Sequence, residues 1–418
     1  MRTPTGAALI ITDEMASSPR IKVKYILTHP IQYFSPLFRR LAGYDHLDFE
    51  VIYASDAGAR EYFDPGFSRS LTWDSNPLEG YRNKILCPGM EIKGGFRNVK
   101  TGGVGSLIEK KGTDVAIIHG WGNLFYAAAT YQAIKKKIPV LYRTEINKFY
   151  DPAAFRPITR IHKTARKLKP VMASILFKKI DGFLAIGSLN REYYLSVGVN
   201  PEKIFWTPYS IDDAKFRQAR VGAEERAREE QKLGLGASSF RVLFCGKLIE
   251  RKRPQDIIEA VAKMPSRDKV QVIFIGEGEL RPGLASLARE KHVQALFPGF
   301  INQQSLPVYY SLGDVLVLPS GNEPWGLVVN EAMAMGLPAI VSSMVGCGPD
   351  LVCNDESGYI CPVGDSSAMA TTLEKMISSP ALLDRLKQGA RSKISGFSLD
   401  HTLQGYIQAI TAVTGRFS

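Results

Sequence analysis

The stretch FRVLFCGKLIERKRPQDIIEA (240–260) opens on an apolar run that stops at Gly246, passes cations at Lys247 and Lys252, and continues into an amphipathic segment. Such a run predicts a short buried strand followed by a helix. The same grammar recurs on both sides. Downstream lie VQVIFIG (270–276), DVLVLPS (314–320) and LPAIVSS (337–343); upstream lie VKYILTH (23–29), FEVIYA (49–54), DVAIIHG (114–120), IPVLYRT (138–144) and DGFLAIG (181–187). Strands alternating with helices imply parallel sheets covered on both faces, and the restart after 239 makes two doubly wound, Rossmann-like units.

Between the units, residues 217–239 are charged and then rich in glycine and serine, so the hinge is expected near 206–216. The expected divisions are a mobile leader over 1–20, a first unit over 21–208, a second over 209–400, and a C-terminal helix over 401–418 that packs back toward the first. Doubly wound units bind ligands at the carboxyl ends of their strands, and two of them can present those ends to one cleft.

A chain of 418 residues, 45% apolar and 22% charged, excludes a disordered or collagen-like protein and is long enough for two cores. The net charge of +12 lies wholly in residues 1–200, where 29 basic residues face 17 acidic ones. One half therefore suits an anionic partner: nucleic acid, a phospholipid surface or a phosphorylated substrate. The stretch 152–180 concentrates eight lysines and arginines with no acid between them, interleaved with apolar residues. Its plain reading is a solvated face on a packed helix; its functional reading is a patch for an anionic membrane surface. No nucleic-acid-binding motif accompanies it. Five cysteines without C-x-x-C spacing, no apolar run of ~18–20 residues and no signal peptide point to the cytosol.

The chemistry concentrates in PSGNEPWGLVVNEAMAMGLPAIVSS (319–343), where a strand ends at Leu318, a loop carries Glu323 and a helix starts near Trp325 or Gly326. Glu331 then falls in the second helical turn. Unpaired backbone N–H groups of Gly326, Leu327 and Val328 suit a phosphate, and carboxylates on either side suit the hydroxyls of a sugar. Taken alone, the two glutamates would read as a loop carboxylate and a solvated helix residue.

At these residues the chain resembles the retaining glycosyltransferases of family 4, which have the GT-B fold and an E-x7-E motif, here EPWGLVVNE (323–331). FCGKLIERKRPQDIIEA (244–260), VIFIGEGEL (272–280), FPGFINQQSLPVYYSLGDVLVLPS (297–320) and SGYICPVGDSSAMATTLEKM (357–376) match further family segments in order. The resemblance covers about 23–412 and is densest over 240–376. It implies an enzyme moving a sugar from a nucleoside-diphosphate donor, UDP- or GDP-linked, to a hydroxyl of a saccharide or lipid-linked acceptor in cell-surface polysaccharide or glycolipid synthesis.

Carried over by position, the resemblance implies that Glu323 binds the transferred sugar and Glu331 the ribose. Lys247 and Lys252 then neutralise the diphosphate, with Gly246 and the 326–328 amides around the donor. Gly299, Phe300 and Ile301 line the base, and Glu279 lies near it. His119, at the end of DVAIIHG, faces the donor sugar and the acceptor hydroxyl. The family's glycine-rich loop after the first strand is replaced by THPIQYFSP (28–36), which gives His29, Gln32 and Tyr33 to the acceptor side, together with Arg143 and Glu145. Cations and amide dipoles at the leaving phosphate lower the barrier to anomeric bond cleavage without a metal. In keeping with that, the chain has no D-x-D motif, and neither a metal nor a cofactor beyond the donor is implied.

Three other activities bear on the same residues. A sugar-nucleotide epimerase or hydrolase of this fold would turn over donor without acceptor. A non-catalytic nucleotide-sugar-binding protein would bind donor without transfer. A dinucleotide oxidoreductase would need a G-x-G-x-x-G fingerprint, and GEGEL (276–280) is not one.

Overall fold

A computed structural model describes residues 19–64, 66–91, 103–147, 149, 173–212, 215–216, 221–236 and 239–416. Residues 1–18 of the expected leader and 152–172 of the basic stretch lie outside the described residues.

Every apolar run quoted above forms a strand. The first unit contains β1 (Ile21–Leu27), β2 (Leu47–Tyr53), a short hairpin β3–β4 (Tyr62–Asp64 and Arg69–Leu71), β5 (Arg82–Ile85), β6 (Val115–His119), β7 (Val140–Arg143), β8 (Gly182–Ala185) and β9 (Ile204–Trp206). Apart from the antiparallel hairpin these strands make one parallel sheet, ordered β5-β2-β1-β6-β7-β8-β9. The second unit contains β10 (Phe240–Cys245), β11 (Val270–Ile275), β12 (Gln294–Gly299), β13 (Val315–Leu318), β14 (Ala339–Ser342) and β15 (Gly358–Cys361). They form a parallel sheet ordered β12-β11-β10-β13-β14-β15. This is the GT-B architecture that the sequence resemblance implies.

Strands β10, β11, β13 and β14 are buried at every residue, because helices cover both faces of the sheet. That is why they read as unbroken apolar runs rather than alternating ones. In each sheet the strand order reverses at one point, between β1 and β6 in the first and between β10 and β13 in the second. Such reversals open a crevice at the strands' carboxyl ends, and the loops leaving β1, β10 and β13 all reach the cleft.

The two units share a continuous apolar core. Phe34, Tyr209, Trp325 and Phe397 follow one another at ring-centroid distances of 5.9, 6.0 and 6.1 Å. The C-terminal helix Leu399–Thr414 packs on the first unit, against β6, β8, β9 and the helix Ser35–Ala42. Thr402 Oγ1 donates to Pro208 O at 2.7 Å, Arg416 Nη1 meets Asp114 Oδ2 at 3.2 Å, and Arg40 pairs with Asp400.

Candidate functional site

A cavity of about 1130 Å³ opens between the two switch points. From the first unit it is lined by His29–Tyr33 after β1, by hairpin residues including Tyr62, Phe63 and Asp64, and by Glu145 after β7. From the second it is lined by Gly246, Lys247, Arg251 and Lys252 after β10, and by Glu323–Val328 after β13.

Local backbone chemistry sets the Glu323 loop. Glu323 N–H donates to Met344 O at 3.1 Å and Gly346 N–H donates to Glu323 O at 3.0 Å, so a second loop holds the first. Gly326 then caps the helix Leu327–Ala334 at φ +102°, a conformation that strains any residue with a Cβ. The first-turn N–H groups of Leu327 and Val328 have no partner within the helix and border the cavity.

The cations here are already engaged. Lys252 Nζ pairs with Glu323 Oε2, and Arg251 Nη1 lies 3.4 Å from the same oxygen while also donating to Asn322 O. Lys247 Nζ donates to both oxygens of Asp64, on the first-unit hairpin, at 2.8 and 2.9 Å.

Glu331 is fully buried and does not border the large cavity. It lines an adjoining one of about 150 Å³ with Gln32, Tyr33, Lys215 and Gln303. Its Oε2 accepts from the Tyr310 hydroxyl at 2.6 Å, and its Oε1 is buried without a close hydrogen-bond partner among the described residues. Burial pushes this carboxyl up to about 7 against the lowering contacts of Tyr310 and Gln303.

Several positions differ from the sequence reading. His119 is largely buried and does not line the large cavity: its Nδ1 meets the Tyr25 hydroxyl at 3.1 Å and its Nε2 lies 3.7 Å from Glu145 Oε1. Burial lowers its pKa, a shift the neighbouring Glu145 only partly offsets. Arg143 is 1% exposed, with its guanidinium 5.0 Å from the Phe34 ring centroid and 4.5 Å from that of Tyr209, and it does not line the cavity either. Glu279 is exposed; Glu277, two residues earlier, is the acid beside Gly299, where an added Cβ would lie 3.0 Å from its Oε1. Gly299, Phe300 and Ile301 do not line the large cavity, and the Phe300 ring packs against Phe67 and Trp73 of the first unit. His29, Gln32, Tyr33 and Glu145 do line it. Burial, reinforced by the charge of His119, lowers His29 to about 4, so it is neutral at pH 7.

The hairpin β3–β4 is the part of the site that sequence reasoning missed. Its strands have three residues each, too short for an alternation signal, and only the Asp64–Pro65–Gly66 turn chemistry marks it.

Residues 225–393 match the model of the family described as glycosyl transferases group 1. The segment contains β10 to β15 and the cleft residues Gly246, Lys247, Arg251, Lys252 and Glu323–Val328. The chain is 27% identical to an N-acetyl-alpha-D-glucosaminyl L-malate synthase of Bacillus anthracis over 47% of its own length and 50% of that protein. It is 31% identical to the lipopolysaccharide core biosynthesis glycosyltransferase LpsE of Rhizobium meliloti over 46% and 55% of the two chains. It thus spans about half the length of the curated relatives it matches. The fold superposes on Anabaena Alr3699/HepE, solved in complex with UDP, with a TM-score of 0.71 at 15% identity over 94% of this chain and all of that one.

Proposed function

We propose that the protein is a retaining glycosyltransferase that moves a sugar from a nucleoside-diphosphate donor to a hydroxyl of a saccharide or lipid-linked acceptor. The observation that carries this reading is the meeting of Lys247, Lys252, Arg251, Glu323 and the helix start at Gly326 in one cleft, within the group 1 segment. A departing diphosphate needs cations and oriented N–H dipoles where its charge develops, and the cleft supplies both from residues of the chain. On this reading Lys247 and Lys252 take the place of a divalent metal at the diphosphate.

In the proposed roles Glu323 orients hydroxyls of the transferred sugar and Glu331 those of the ribose. His29, Gln32, Tyr33 and Glu145 bound the acceptor side. The setting is the synthesis of cell-surface polysaccharide or glycolipid on the cytoplasmic side of a membrane. The basic charge of 152–180 supports a peripheral attachment to an anionic bilayer. No helix among the described residues is long and apolar enough to cross a membrane. Neutralising Arg160, Lys163, Arg166 and Lys167 together tests the attachment: binding to anionic vesicles is lost, and unchanged binding overturns it.

A thermal-shift panel of UDP-, GDP-, ADP- and TDP-sugars without added metal tests the central reading. A ligand at ~100 times its dissociation constant adds about 2.7 kcal/mol to the folded state. Stabilisation by one nucleotide family, followed by transfer of its sugar with retained anomeric configuration, is the expected result. Donor turnover that needs no acceptor would point instead to a hydrolase or epimerase of this fold.

A further inference from the structure

Strand β7 ends on an arginine that serves no exposed partner. Arg143 is 1% exposed, with its guanidinium 4.5 Å from the centroid of Tyr209 and 5.0 Å from that of Phe34. Its Nε and Nη1 have no hydrogen-bond partner among the described residues. A buried cation is costly unless an anion compensates it, and the carboxylate whose charge acts on Arg143 is Glu145, two residues along the chain.

Glu145 in turn is held from several directions. The Tyr209 hydroxyl donates to its Oε1, and His119 Nε2 lies 3.7 Å from the same atom. His119 is fixed from behind by Tyr25, whose hydroxyl sits 3.1 Å from Nδ1 and 3.4 Å from the Tyr406 hydroxyl of the C-terminal helix. Both contacts to Glu145 fall on one oxygen, whereas a carboxylate offers about four acceptor positions. The side chain is 36% exposed and lines the cavity. Glu323, the carboxylate that the second unit brings to the same cavity, is instead engaged by Lys252 and Arg251.

We propose that Glu145 binds a hydroxyl of the reacting sugars directly, that Arg143 is a positioning residue beneath it, and that His119 acts through Glu145 rather than on the substrate. The proposal rests on the glycosyltransferase reading and assigns, within it, the first-unit group that touches the substrate. Burial alone would raise the Glu145 carboxyl, but His119, the Tyr209 hydroxyl and the charge of Arg143 outweigh it and hold the group below the usual carboxylate range. Such a carboxylate is a poor proton acceptor at neutral pH and a strong hydrogen-bond acceptor, so its work is orientation of a nucleophilic or donor-sugar hydroxyl.

The test uses the full chain with the donor found by the thermal-shift panel. Glu145→Gln keeps size and loses charge: transfer falls on the order of 10²-fold, the scale set by misplaced reacting groups, while the nucleoside diphosphate without its sugar binds as in the parent. His119→Gln lowers transfer less than Glu145→Gln does. Transfer by Glu145→Gln within threefold of the parent overturns the proposal and leaves the glycosyltransferase reading intact; a parent that neither binds donor nor transfers sugar overturns both. Arg143→Lys preserves the charge without the planar fork and retains most of the activity. Arg143→Met shifts the acid limb of kcat/KM to higher pH, since His119, Tyr209 and Arg143 face Glu145, with Tyr126 within reach of its charge, Tyr25 and Tyr406 behind His119, and His29 beside His119 at the cavity. If Arg143→Met does not fold, the comparison of Glu145→Gln with His119→Gln decides. An Arg143→Met limb that does not move removes Arg143 from the assignment.

Discussion

Lys247 of the second unit and Asp64 of the first meet across the cleft, with the ammonium nitrogen 2.8 and 2.9 Å from the two carboxylate oxygens. Asp64 Oδ1 also accepts the N–H groups of Gly66 and Phe67 at 2.8 and 3.2 Å, and Lys247 Nζ lies 4.9 Å from the Phe67 ring centroid. The hairpin is thus built around its contact with the opposite unit.

On the proposed reading, a donor diphosphate and Asp64 compete for one ammonium. The pair is partly exposed, so its worth is up to about 1 kcal/mol. Asp64→Asn is therefore expected to tighten nucleoside diphosphate binding by up to about fivefold, measured by calorimetric titration. Weaker binding by the variant would mean that Asp64 supports the donor site instead of competing for it.

Lys252 poses the converse case. It is 9% exposed and pairs with Glu323, so it both supplies positive charge and neutralises the carboxylate that is proposed to hold the sugar. Lys252→Ala is expected to slow transfer by on the order of 10²-fold or more, in line with loss of an electrostatic stabiliser of the leaving group. Arg251 shares Glu323 Oε2, and Arg251→Ala provides the comparison. Near-normal single-turnover rates in Lys252→Ala, with slow ones in Arg251→Ala, would transfer the role to the arginine.

Glu331 makes a prediction about stability against pH. Its folded pKa of about 7 stands above the ordinary glutamate range, so between the two values the folded chain binds more protons than the unfolded one. Stability from this group is fully present below the unfolded pKa and is lost as pH rises through the folded value, at a cost of about 3 kcal/mol. Glu331→Gln retains an acceptor for the Tyr310 hydroxyl and carries no charge. The empty parent is expected to lose melting temperature from pH 5 to pH 8, and the variant to lose several degrees less. Parallel melting curves for the two proteins would contradict this.

Legibility in the sequence followed locality. The core strands announced themselves because parallel strands buried on both faces are continuous apolar runs, and β10, β11, β13 and β14 carry little else. Glu323 and Gly326 were legible because a strand end, a loop and a helix start are adjacent in the chain. The Lys247–Asp64 pair joins residues 183 positions apart, and no local pattern encodes it. Arg143 reads as the polar end of a strand, yet Phe34 and Tyr209 reach it from distant segments and bury it. That burial leaves Glu145, rather than the histidine expected from resemblance, at the cavity wall.

Trp325 makes the last prediction, since it ties the Glu323 loop to the first unit. The side chain is 3% exposed, its Nε1–H donates to Asn330 Oδ1 at 2.8 Å, and Asn330 Nδ2 donates in turn to Tyr209 O at 3.1 Å. Its ring covers Gly187, where an added Cβ would lie 2.2 Å from Cζ3 and 2.7 Å from Asp350 Oδ2. Trp325→Ala is expected to cost about 3–5 kcal/mol, the range for emptying a large aromatic site, and to slow transfer by freeing the loop that carries Glu323. Gly187→Ala approaches the same contact from the other side. The backbone there is extended and tolerates alanine, so its cost is overpacking alone, about 1–3 kcal/mol. Both variants are expected to melt below the parent, with transfer lost more steeply than nucleoside diphosphate binding. If Trp325→Ala melts with the parent, the inter-unit contact carries little of the stability, and the Asn147 Nδ2–Pro324 O bond of 3.0 Å becomes the next direct tie between that loop and the first unit to test.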